Sequence, residues 1–106
     1  MIHKDKYAVY VEWNYAPTKE DSFERCCIYH PNDEALQYDG DNMIGHHGNE
    51  GFNFDVYDTL EDAMINSGFN PIHIDFQDID AKEITDVLSH YMWLEDVGYV
   101  KVPIET

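Results

Sequence analysis

Cysteine, histidine and acidic side chains are the groups of this chain able to hold a metal or attack a substrate, and spacing decides whether they do. Cys26, Cys27, His30, His46 and His47 contain the donor atoms of a zinc site. The chain has no Cys-x-x-Cys and no pair of histidines three to five residues apart, so the usual zinc spacings are missing. Neighbours in a strand point to opposite faces, so Cys26 and Cys27 cannot both chelate without a bulge. The inward one reads as a small buried hydrophobe. Asp39 to Glu50 is twelve residues long with acids first, third and last, like a calcium loop. Its fifth position is Met43, which is no ligand, and its sixth is Ile44, where the sharp turn needs glycine. Cysteine–histidine catalysis would need Cys26 or Cys27 beside His73 or His90 and an orienting group, and no spacing selects that set. Phosphate-loop, dinucleotide, zinc-protease and serine-hydrolase motifs are all missing. The expectation is a protein that is not an enzyme, with no catalytic residue, no metal and no cofactor.

The remaining chemistry is charge. The 106 residues hold 22 Asp and Glu against six Lys and Arg, a formal net charge of −16. From Arg25 to Lys82 no cation intervenes, while twelve acids do: Asp33, Glu34, Asp39, Asp41, Glu50, Asp55, Asp58, Glu61, Asp62, Asp75, Asp78 and Asp80. Self-repulsion of this size opposes the compact state. It also excludes direct binding of nucleic acid through a basic face, and adhesion to anionic membrane. Hydrophobic residues at 43% and aromatics at 14% nevertheless exceed what a disordered acidic tail carries. One domain is expected from this length. No apolar run approaches a membrane span, and Met1 to Lys6 opens no signal peptide. Adjacent cysteines cannot staple a fold, so a reducing cytoplasm is expected, the host's if the chain is phage-encoded.

Part of the acidity needs no function. Asp58, Glu61, Asp62, Asp78, Asp80 and Glu83 lie near expected helix N-termini, where a negative charge is favourable by about 0.3–1 kcal/mol. Acidity also promotes solubility. With those caps set aside, the loop and the third strand keep Asp33, Glu34, Asp39, Asp41, Glu50 and Asp55. A domain of this size should be about 33 Å across, and duplex DNA of that length carries about 20 charges. The chain thus offers a cationic groove a charge dose of the same order as nucleic acid. Tyr38 and Tyr57 stand among these acids, and tyrosine anchors interfaces at low rotamer cost.

These readings need elements to hold them. Tyr7, Val9, Val11, Trp13 and Tyr15 alternate with smaller or polar residues, which predicts a strand over 6–15. A second strand is expected over Phe23 to Tyr29, antiparallel to the first. Residues 31–51 are polar and glycine-bearing and read as a long loop with a brief helical turn at Asp33 to Leu36. Phe52 to Tyr57 alternates again, with Asn53, Asp55 and Tyr57 on its polar register. Thr59 caps a helix with Leu60, Ala63 and Met64 inward and Ser67-Gly68 as its stop. Ile72 to Phe76 is the fourth strand. Asp80 and Glu83 form a capping box before Ile84, Val87, Leu88, Tyr91 and Leu94, a helix ending at Gly98. Tyr99 to Val102 closes the order ββ-loop-βαβαβ. The fold class expected is α+β, a mostly antiparallel sheet of about five strands with two helices on one face and part of it open to parallel pairing.

In bulk character the chain resembles the phage-encoded DNA-mimic inhibitors of restriction, repair or CRISPR nucleases, a likeness of composition without a shared motif. The function it implies is steric inhibition of a basic nucleic-acid-handling protein. The expected contacts are Asp33, Glu34, Tyr38, Asp39, Asp41, Glu50, Asp55 and Tyr57. An immunity protein or antitoxin against a basic nuclease toxin is the second reading. A metal-binding domain using the His/Cys/Asp loop is the third.

Overall fold

The computed structural model describes residues 1–44 and 50–103, with backbone alone at 42–44. Seven strands and three α-helices follow in order: β1 Tyr7–Asn14, β2 Phe23–Tyr29, α1 Asp33–Leu36, β3 Asp41–Ile44, β4 Glu50–Tyr57, α2 Leu60–Ser67, β5 Ile74–Gln77, α3 Ala81–Leu88, β6 Tyr91–Leu94 and β7 Gly98–Lys101. Five strands form a mixed sheet in the order β3-β4-β1-β2-β5. β1 sits at its centre, antiparallel to β2 and to β4. β5 joins the far side of β2 in parallel. The α+β class and the antiparallel β1–β2 pair agree with the sequence reading.

Cross-strand registers assign each residue to a face. Val9 lies opposite Ile28 on one side and Asp55 on the other. Tyr7, Val9, Val11, Cys26, Ile28 and Ile74 therefore share one face. The helices α2 and α3 cover that face through Leu60, Ala63, Met64, Ile84 and Val87. Thr59 accepts the Asp62 N–H at 3.1 Å and starts α2, and Gly68 ends it at φ 71°, a backbone only glycine adopts freely. The chain runs from β4 through α2 to β5, passing over β1 and β2 on the way. Among the described residues no polar or charged side chain is buried. The core is thus apolar, and the described carboxylates all reach water.

Four expectations change. The described part of the segment expected as a long loop, residues 31–44, is not an open loop. The α1 turn is present, but Gly40 N–H donates to Phe54 O at 2.7 Å and leads into β3, which pairs with β4 from Asp41↔Phe54 to Ile44↔Gly51. Residues 71–73 form a 3-10 turn, so His73 lies outside the strand expected there. The capping box at α3 is half made. Asp80 accepts from the Lys82 N–H at 2.9 Å, while Glu83 turns to the Tyr7 hydroxyl at 2.9 Å. Finally, α3 stops at Leu88. The Ser89 hydroxyl at 2.6 Å and the His90 ring at 2.9 Å both bond the Asp86 carbonyl, competing with another helical turn. Tyr91 to Leu94 then pairs with Gly98 to Lys101 as a separate hairpin. Gly98, at φ 93°, closes its three-residue turn instead of capping a helix.

Met64 is fully buried where α2 meets the sheet, whereas Ile72 is 80% exposed. Met64→Ala should lower unfolding stability by about 2–5 kcal/mol, read by urea denaturation. Ile72→Ala should stay within about 0.5 kcal/mol. Equal effects would contradict the placement of the core.

Candidate partner-binding surface

Few of the negative charges are cancelled inside the chain. Among the described residues Asp33 pairs with the N-terminal ammonium at 3.3 Å and with His3, Asp58 pairs with Lys6, and Glu12 pairs with Arg25 at 3.3 Å. Lys4, Lys19, Lys82 and Lys101 make no ion pair with a described residue. Other carboxylates are held by neutral donors instead. Tyr7 donates to Glu83, Tyr10 to Glu12 at 2.7 Å and Tyr15 to Glu24. Thr18 donates to Asp21 at 2.6 Å. A hydroxyl fixes the position of a carboxylate and leaves its charge whole. The tyrosines carry the other half of this effect. Burial, then the bonded carboxylate, push Tyr7 and Tyr10 up to about 12.

The expected contact residues fall into three groups. Asp33 begins α1 and is partly neutralised, its carboxyl held below the usual range by His3 and the N-terminal ammonium. Asp39, Asp55 and Tyr57 come together at the β4 end of the helix-covered face. Burial and then the Asp39 charge raise the Asp55 carboxyl, and burial, Asp55, Asp39 and Asp62 raise the Tyr57 hydroxyl. Asp39 also holds the Val56 N–H at 2.7 Å, so it is a structural acceptor that fixes the turn into β3. The polar register assigned to Tyr57 is a correction. Tyr7↔Tyr57 pairing puts it on the face that the helices cover, and it packs against the core. Sequence alternation showed that β4 has two registers but not that both are large enough to be packed.

The third group lies on the opposite face of the sheet. Glu34 and Tyr38 from α1 and its following turn stand over Tyr10, Tyr29, Phe52 and Phe54, lining a hollow of about 420 Å³ with Asn32 and Ala35. Asp41 faces Phe54 across β3 and β4. Glu50 lies at the other end of β4, in a second hollow with Glu12, Trp13 and Phe23. Tyr10, Tyr29, Phe52 and Phe54 were not among the expected contacts. Their signal was present as a second row of large residues in strands whose other row already supplied the core.

The cysteines lie beside a hollow of about 630 Å³ that also takes in His73, Asp75, Gln77 and Trp93. Cys26 is buried and Cys27 half-buried, as alternation requires. Burial, then the neighbouring Cys27, push the Cys26 thiol up to about 12. Cys27 donates to Asp75 at 3.7 Å, and burial together with that carboxylate raises it too. Burial at both thiols, and the Asp75 carboxylate at Cys27, disfavour the thiolate form. No group of three or more metal-ligating side chains gathers among the described residues. His46 and His47, with residues 45–49 of the calcium-like loop, lie outside the described residues. The chain matches no protein-family model, no curated protein and no solved structure.

Two outcomes test this arrangement. Tyr7 and Tyr10 sit at about 12 when folded, against about 10 unfolded, so the unfolded chain releases these protons first as pH rises. The stability they contribute is whole below pH 10 and is lost as pH climbs through 12. Denaturant midpoints measured across this window should fall, and Tyr7→Phe should blunt the fall. Asp39→Ala should cost about 0.5–1.5 kcal/mol through the lost bond to the Val56 amide, whereas Asp41→Asn should cost almost nothing.

Proposed function

We propose that the chain is an inhibitor that occupies a basic, nucleic-acid-handling protein, its carboxylates standing where phosphates would lie. One observation carries this reading: carboxylates are positioned by neutral donors while cations pair with so few of them, so the field of the domain is left almost whole.

The shape refines the charge comparison. The molecule measures 52 × 37 × 19 Å with a radius of gyration of 15.0 Å, flatter and longer than the sphere of about 13 Å expected for its length. Duplex DNA 52 Å long carries about 30 phosphate charges. A net charge of −16 is about half that dose. A cationic groove would still steer its approach over the Debye length of about 8 Å. Inhibition would follow from occupancy alone, with no bond made or broken. An immunity protein or antitoxin would work by the same physics, and no feature of the surface favours it over the first reading.

The residues to alter are the acids free of internal duties. The carboxylates of Glu34, Asp41 and Glu50 accept no hydrogen bond from a described residue, whereas those of Asp33 and Asp39 do. Basic proteins retained from a cell lysate on the immobilised chain should be displaced by duplex oligonucleotide and by rising salt. The Glu34→Lys, Asp41→Lys, Glu50→Lys triple variant should lose at least tenfold in retention with its thermal midpoint unchanged. Retention insensitive to oligonucleotide, or equal for the triple variant, would refute the proposal.

A further inference from the structure

The open face of the sheet carries a built example of cation recognition. Arg25 stands 4.9 Å over the Phe23 ring while its guanidinium pairs with Glu12 at 3.3 Å, and Glu12 also accepts the Tyr10 hydroxyl. A ring supplies the face, a carboxylate supplies the charge, and a tyrosine hydroxyl fixes the carboxylate. Arg25 and Glu12 are cross-strand partners, so the set belongs to this face.

The hollow next to it repeats the rings and the carboxylate, with no cation of the chain among its lining residues. The rings of Tyr10 and Phe52, 5.7 Å between centroids and tilted by 32°, and of Tyr29 and Phe54, 6.3 Å and tilted by 56°, form its floor. Tyr38, 47% exposed, forms the wall on the α1 side. Glu34 lies at the same wall and its carboxylate bonds no described residue. Asn32 is already engaged, accepting the Ala35 N–H at 2.7 Å.

Building on the proposed function, we infer that this hollow seats an arginine side chain of the basic partner, its guanidinium over the Tyr38 ring and paired with Glu34. Charge complementarity selects the occupant. A second copy of the chain would bring another net charge of −16 against the first. An anionic lipid surface is repelled in the same way. An arginine is attracted by the whole domain and then by the rings. Arginine suits the site better than lysine because its flat guanidinium stacks on a ring while keeping donors free for a carboxylate. The contact also gives the inhibitor a specific anchor, which spread charge alone does not provide.

The test titrates a capped hexa-arginine peptide into the full chain at low salt by calorimetry. Tyr38→Ala should weaken binding about fivefold or more without altering the salt slope, because no charge is lost. Tyr38→Phe should keep wild-type affinity, which guards against a folding artefact. Glu34→Gln should weaken binding more than Asp86→Asn, an equal charge change on the far helix. Two results overturn the inference while leaving the acidic-surface reading intact. One is Tyr38→Ala binding like wild type with salt dependence unchanged. The other is a wild-type dimer in sedimentation that Tyr38→Ala dissolves, which makes a second copy the occupant. No binding of the peptide at low salt would overturn both readings together.

Discussion

The constraint that orders this molecule is electrostatic: a small domain holds a large excess of like charge and does not neutralise it. Carboxylates that need anchoring take hydroxyls and backbone amides as partners, as in Tyr7–Glu83, Tyr10–Glu12 and Asp39–Val56. Each such bond satisfies an acceptor, yet the Coulomb repulsion between acids persists. The burden of holding the fold together then passes to apolar contact. The core answers it by excluding every charged side chain among the described residues. Tyr7 joins the two requirements, since its ring is buried in the core while its hydroxyl reaches Glu83 on α3.

The two faces of the sheet divide the work. One is sealed by α2 and α3. The other is only partly covered, by α1, which at four residues shields one corner. The rest of that face displays tyrosine and phenylalanine beside acids. Aromatic side chains are what such a face can carry without being either a core or a plain solvated surface, because they offer area at low entropic cost. Long-range attraction and short-range fit are thereby assigned to different residue types.

Period-two alternation and capping signals were legible. β1, β2, β4, Thr59, Asp80 and the left-handed stop at Gly68 all follow from local chemistry, and the structure agrees with them. Two features depend on strand pairing and could not be read locally. β3 is a strand because β4 offers it an edge, in a segment whose glycines and acids resemble a loop. Tyr91 fits the helical spacing of Ile84 and Val87, yet Ser89 and His90 end α3 and Tyr99 opposite Trp93 turns the segment into a hairpin. The site suffered likewise. The acids were visible as a list, but which of them hold backbone amides, and which aromatic row faces outward, required the register between β1 and β4.

The parallel ladder between β2 and β5 has a kinetic meaning. Every pair in it is separated by the same interval, Cys26 with Ile74 at one end and Tyr29 with Gln77 at the other. An antiparallel ladder can zip from a nearby turn, as β1 and β2 do from Asn14↔Phe23. The parallel one has no near end and must close its whole loop before its first bond forms. β5 should therefore dock last during refolding, after the hairpin and α2 exist to receive it. Pulsed hydrogen exchange that protected the β5 amides before those of β1 would contradict that order.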